Sequence, residues 1–308
     1  MKRIANLALL AVLVGCSDTT LEPRFTGGGP TTFRLTDAPF PYDKVSRVDI
    51  FVVRVQASWA GDTSAAATND FVTVAEVNRK INLLALTGGL SDELGTANIP
   101  EGAIKAIRLV IDTDQSSITM KTGEVLTGSS TPGIAWQSSA GIATLNAEVV
   151  DHISVPKEGT EVVIDFDVGR AFLDPADVSP PCGCSGFIFS PVVRAAQVAR
   201  TGSVSGTVRY SGVATGQADA TVELKLGNPN SPSNTWSTIS TTKTDASGNF
   251  RFAYVTRTSF WSQPGWTYMV VAHHAAAHAT VINVLVSPGN ETAVGVVSLP
   301  SSGVSGEM

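Results

Sequence analysis

Charge, cysteine, histidine and long apolar runs are all scarce in this sequence, and each shortage narrows what the chain can be. Of 308 residues only 16% are charged, and the balance is acidic, with a formal net charge of −6. Phosphate binding needs basic clusters, so nucleic acid is not expected as a partner. Three cysteines leave one pair, Cys182 and Cys184, once Cys16 is set aside, and four histidines confine imidazole chemistry to two places. The longest apolar stretch, Ile4 to Val14, is broken by Asn6 and is too short to span a bilayer stably. Past it, no helical periodicity beyond about 12 residues appears.

What is present fits strands and turns. Hydrophobic residues make up 43% of the chain, ample for two packed cores, and Gly 28 and Pro 16 sit among many Thr, Ser and Val. The length is a prior for two domains. Residues 201–308 balance five basic groups, Arg209, Lys225, Lys243, Arg251 and Arg257, against five acidic ones, Asp219, Glu223, Asp245, Glu291 and Glu307. The acidic excess therefore belongs to the first domain, which supports a boundary near residue 200.

The amino terminus carries the most specific signal. Lys2 and Arg3 precede the apolar stretch, and Leu13-Val14-Gly15-Cys16 closes it. This resembles the lipobox of bacterial lipoproteins, in which the cysteine is acylated and becomes the new first residue. The resemblance implies removal of residues 1–15, attachment to a membrane through Cys16, and export to the cell envelope. Several acyl chains on one residue anchor stably, since each buried methylene contributes roughly 0.8 kcal/mol. Ser17 follows in place of the Asp that favours inner-membrane retention in enteric bacteria, so the outer membrane is expected. Residues 16–30, with Gly27 to Gly29, read as lipidated Cys and flexible tether.

From Thr32 onward apolar residues recur at strand spacing. Val48 to Val55 is apolar on both faces apart from Asp49 and Arg54, as in a central strand. Ile107, Leu109 and Ile111, and later Ile164, Phe166 and Val168, alternate with their neighbours as half-buried strands do. Thr87-Gly88-Gly89, Pro100-Glu101-Gly102 and Ser130-Thr131-Pro132-Gly133 read as turns, and Ile81 to Leu86 as at most a short helical turn.

Leu35-Thr36-Asp37-Ala38-Pro39, the Val48 strand, Ile81-Asn82-Leu83-Leu84-Ala85-Leu86, Ile99-Pro100-Glu101-Gly102, Ile164-Asp165-Phe166-Asp167 and Ser190-Pro191-Val192-Val193-Arg194 follow one another in the order seen in domain-of-unknown-function family 4382. The resemblance covers roughly residues 31–198 and implies a fold-sized unit found in exported proteins, with no established activity. Gly202 to Val208, Ala218 to Leu224 and Thr244-Asp245-Ala246-Ser247-Gly248-Asn249-Phe250 resemble a carboxypeptidase regulatory-like or Cna-B-type β-sandwich over residues 202–299, leaving 300–308 as a tail. Such modules carry no catalytic metal. The opening strand holds Arg209 and no lysine, so no isopeptide bond is expected. The expected architecture is all-β, two consecutive β-sandwich-type domains.

Candidate chemistry is sparse. Cys182 and Cys184 could form a disulfide clipping the Pro180 to Gly186 loop; two free thiols and a redox or metal role stay open beside it. His273, His274 and His278 suit a zinc site only on a helix, and Tyr268 to Ala272 reads as a strand, which favours surface or loop histidines. His152 has no nucleophile motif beside it. Asp112 with Asp114, and Asp165 with Asp167, lie two apart on strand-like segments. Brought together, with Asp37 or Asp43, they could offer oxygen ligands to calcium, the one cofactor considered; they equally suit solvated strand faces. Trp236, Phe260, Trp261, Trp266 and Tyr268 cluster in the second domain, and Trp261 and Trp266 could form an exposed platform for a ligand.

These features favour a membrane-anchored envelope lipoprotein with a non-enzymatic structural, adhesive or assembly role. A carbohydrate-binding accessory protein of a surface glycan system comes second, and an enzyme with an unrecognised carboxylate site third. Partners expected are the membrane, through the lipid anchor, and an envelope protein or glycan.

Overall fold

The structure, a computed structural model, describes residues 28–37, 44–58, 71–136, 141–174, 186–230, 235–258 and 265–301. Cys16, Asp43, Cys182, Cys184, Phe260 and Trp261 lie outside the described residues, as does the amino-terminal leader. The chain is all-β. Its first unit runs β1 (Gly28–Asp37), β2 (Val45–Ser58), β3 (Val72–Asn82), a 3-10 segment (Leu83–Gly89), β4 (Asp92–Pro100), β5 (Gly102–Ile104), β6 (Ala106–Met120), β7 (Val125–Leu126) and β8 (Gly133–Ala135). It continues with β9 (Ile142–Val149), β10 (Ile153–Val155), β11 (Thr160–Phe166), the one-turn helix α1 (Val168–Ala171), β12 (Phe172–Leu173), β13 (Gly186–Phe189) and β14 (Val193–Gln197).

One sheet dominates this unit, in the order β3-β2-β6-β9-β14-β11-β1-β4, with β7 attached to β6. Two pairings are parallel, β1 with β11 and β14 with β9. The sheet curls until its two outer strands stand side by side. Arg79 on β3 forks onto Asp92 on β4, its two Nη atoms 2.6 and 2.8 Å from the carboxylate oxygens, and also donates to Glu93 O at 2.7 Å. A Cβ at Gly95 on β4 would stand 3.0 Å from Ala75 Cβ on β3. Phe33, Leu35, Ile50, Val52, Leu109, Ile111, Ile164 and Phe166 fill the enclosed core.

Two expectations change. Gly28, Gly29 and Pro30 belong to β1 and not to a tether: a Cβ at Gly28 would lie 2.0 Å from Ile99 O, and one at Gly29 2.0 Å from Pro156 O, so these glycines allow close backbone approach. The β6 segment Ala106 to Ile111 is buried on both faces, not one. Even Arg108 is 4% exposed, its Nε donating to Asn146 Oδ1 at 2.8 Å and its guanidinium lying 3.5 Å over the Phe71 ring.

A 3-10 turn, Val198–Arg200, leads into the second unit. Its strands are β15 (Thr201–Tyr210), β16 (Thr221–Gly227), β17 (Trp236–Lys243), β18 (Asn249–Thr256), β19 (Thr267–His274), β20 (Ala277–Val284) and β21 (Glu291–Leu299). Two sheets, β18-β15-β21 and β17-β16-β19-β20, face each other across Val208, Leu224, Phe252, Tyr268 and Val270. The β17–β18 turn forms as its residues dictate. Asp245 Oδ1 accepts from Ser247 N and Asn249 N, each at 2.8 Å, Gly248 takes φ +80°, and Phe250 returns to the core.

Candidate functional site

The carboxylates singled out in the sequence go to different places. Register puts Asp112 opposite Ile142 and Arg194 opposite Glu148, with Asp165 opposite Arg194. The two pairs are thus separated by six residues along β9, about 20 Å at strand rise. Among the described residues no three His, Cys, Asp or Glu side chains gather closely enough to hold a metal ion. Asp112 instead closes a local turn, its Oδ1 accepting from Asp114 N at 2.9 Å and Gln115 N at 3.0 Å. Among the described residues the two Asp pairs therefore do not come together as one calcium site.

Of the second pair, Asp167 is buried and Asp165 half-buried. The outward side of β11, carrying Val163 and Asp165, is covered by the second unit. Asp165 borders a cavity of about 50 Å³ with Arg194, Ser240 and Tyr254, and a neighbouring one of about 30 Å³ with Thr36 and Asp37. Burial pushes its carboxyl up to about 7; the charge of Asp167 adds to this and Arg194 opposes it. Asp167 caps α1, Oδ1 accepting from Arg170 N at 3.1 Å, while Asp37 Oδ1 accepts from Val168 N at 3.1 Å. Burial raises Asp167 as well, against the opposing charges of Arg170 and Arg194.

Around this centre the units are stitched by groups that sequence pattern did not single out. Arg194 donates from Nη1 to Ile239 O at 2.6 Å, and Arg170 to Thr238 O at 3.5 Å. Tyr254, held at φ +53° within β18, donates to Gly89 O at 3.4 Å. A positive φ at a bulky residue is costly and persists where surrounding contacts impose it. Asp151 in the first unit, also at positive φ, is 3% exposed and meets Arg257 Nε of the second unit at 2.9 Å and Arg200 Nη1 of the connecting turn at 3.4 Å. Burial works to raise this carboxyl, but the His152 N–H, Arg257 and Arg200 outweigh it and leave it below the usual range.

His273 and His278 face each other across β19 and β20, ring centroids 6.3 Å apart, so they stand on strands and not in a loop. His273 Nε2 lies 3.1 Å from Glu223 Oε2, and His274 Nδ1 lies 2.9 Å from the Tyr210 hydroxyl. His152 Nδ1 stands 3.1 Å from Asp151 Oδ1. Trp266 is half-buried against the second core and Tyr268 is 1% exposed, so packing claims much of the aromatic cluster. What the contacts around Asp165 and Asp151 do is hold two β units in one orientation.

A two-unit, all-β chain with a curled mixed sheet first is the class these features define. The chain belongs to the family described as domain of unknown function (DUF4382), which matches residues 28–185. The match ends before β14, although that strand fills the gap between β9 and β11, so the structural unit runs to Gln197. No curated protein matches the chain. Among solved structures, the shaft pilin SpaA from Lactobacillus rhamnosus GG is 10% identical, with 90% of this chain and 99% of that chain covered at a TM-score of 0.23. The minor pilin GBS52 of Streptococcus agalactiae is 10% identical, covering 89% and 97% at 0.22. A 9R-lipoxygenase from Cyanothece PCC8801 is 10% identical, covering 33% of this chain and 17% of that chain at 0.23. Scores this low carry no functional argument.

Proposed function

We propose that this protein is an exported, lipid-anchored envelope protein with a non-enzymatic structural, adhesive or assembly role, carried to the outer membrane and fixed there through Cys16. The second unit serves in this reading as a carboxypeptidase regulatory-like or Cna-B-type module that the first unit grips. The observation that carries it is the junction, where Asp151 joins Arg200 and Arg257 and where Arg194 and Tyr254 reach across. A spacer that must present a surface at a defined angle needs such a lock, because interfaces between domains of one chain otherwise default to relative motion. Cys16→Ala in the native host tests the anchor. The unaltered protein should enter the detergent phase and incorporate labelled palmitate, and the variant should do neither; equal partitioning of both would sink the anchoring claim.

A further inference from the structure

One cleft lies away from the junction, on the first unit where the β7–β8 loop passes the middle of β6 at Thr113 and Asp114. It encloses about 710 Å³, and its described walls include Asp114, Thr127, Ser129 and Trp136 but no lysine, arginine or histidine. Trp136 is fixed from behind, its ring edge-on to Phe172 at 5.8 Å and tilted on Phe189 at 4.7 Å. Its indole nitrogen is shielded from solvent and has no hydrogen-bond partner. Two glycines leave the space in which these side chains sit. A Cβ at Gly128 would come 2.9 Å from Trp136 Cδ1, and one at Gly141, where φ is +72°, would come 2.5 Å from Asp114 Oδ2. The loop is braced internally, Ser130 Oγ accepting from Thr127 N at 2.8 Å and donating to Pro132 O at 2.7 Å. The described walls are therefore set before any ligand arrives.

We infer that this cleft binds a saccharide unit of a neutral glycan. A sugar ring offers an apolar C–H face and a rim of hydroxyls. A locked indole answers the first, and a carboxylate with two side-chain hydroxyls, which both donate and accept, answers the second. Asp114 is exposed and enters no ion pair among the described residues, so its oxygens are available to sugar hydroxyls. A single negative charge with no cation in the described walls disfavours uronate or sulfated polymers. This site differs in place and residues from the Trp261 and Trp266 platform, and it does not depend on lipid anchoring.

The test is calorimetric titration of the full chain with cellohexaose, maltohexaose and N-acetylchitohexaose, with chondroitin sulfate as the anionic comparator. At least one neutral hexaose should bind, and Asp114→Asn or Thr127→Ala should weaken that binding about tenfold, the loss expected for one or two polar contacts. Asp114→Asn changes an exposed side chain, so its unfolding midpoint should match that of the unaltered protein. Trp266→Ala should retain full affinity. The inference fails if none of the three hexaoses binds, if both cleft variants keep the original affinity, if Trp266→Ala alone abolishes binding, or if chondroitin sulfate binds most tightly.

Discussion

A carboxylic acid caught between two domains reports their contact through its titration. Asp165 ordinarily ionises near 3.8, and in the folded chain it does so at about 7. Between those limits the folded state keeps a proton the unfolded state has released, so Asp165 makes stability fall as pH climbs from about 4 to about 7 and then level off. Asp165→Asn should flatten that slope in denaturation midpoints measured across the range; an unchanged slope would show that another group sets it. Asp151 works with the opposite sign. Its folded value is lowered, so its contribution is present above the ordinary carboxylate range and is lost as pH falls through the folded value. Asp151→Ala at neutral pH should cost about 1–3 kcal/mol, since it strands two half-buried guanidinium groups. A change within experimental error in urea denaturation would refute that role. In the sequence, the spacing of Asp165 and Asp167 was visible. That their strand face meets a second domain was not, because alternation gives the parity of a side chain and says nothing of what covers it.

Strands and turns were more legible than their surroundings. The Asp245 to Phe250 turn could be read from residue chemistry alone, since a side-chain acceptor, a positive-φ glycine and a returning aromatic each have a local reason. Gly248→Ala should therefore destabilise by about 1–3 kcal/mol. It would force a Cβ to positive φ and place it 2.6 Å from Gln217 N and Val208 O. Equal thermal midpoints for the variant and the original would show the turn to be slack. The β6 strand misled in an instructive way. Its alternation suggested one wet face, yet Arg108 is buried by pairing with Asn146 and stacking on Phe71, a solution that depends on residues far away in sequence. Glycines likewise read as flexible at residues 27–29, where Gly28 and Gly29 are small for the sake of neighbouring backbones. The Trp136 cleft left no trace in the sequence because its walls come from separate segments.

At the scale of the whole molecule, the interlocking junction predicts that the two units unfold together. Calorimetry should show one transition whose van't Hoff and calorimetric enthalpies agree, and Arg257→Ala should split it into two. Two resolved transitions in the unaltered protein would mean that the junction holds orientation without coupling stability. Composition and charge asymmetry suggested a division near residue 200, while the contacts of Arg194, Tyr254 and Asp151 across the junction had no local signature. The order of strands also has a consequence in time. β1, the first strand of the sheet, lies between β4 and β11 and pairs residues 31–37 with 160–166, and the sheet is interrupted until β14 enters between β9 and β11. A ribosome delivering this chain from its amino terminus thus releases most of the first unit before its sheet can close. Closure waits on distant pairings, which fold slowly, so half of the sheet can pair from early strands while β1 and β4 wait for β11 and β14 to join them to it.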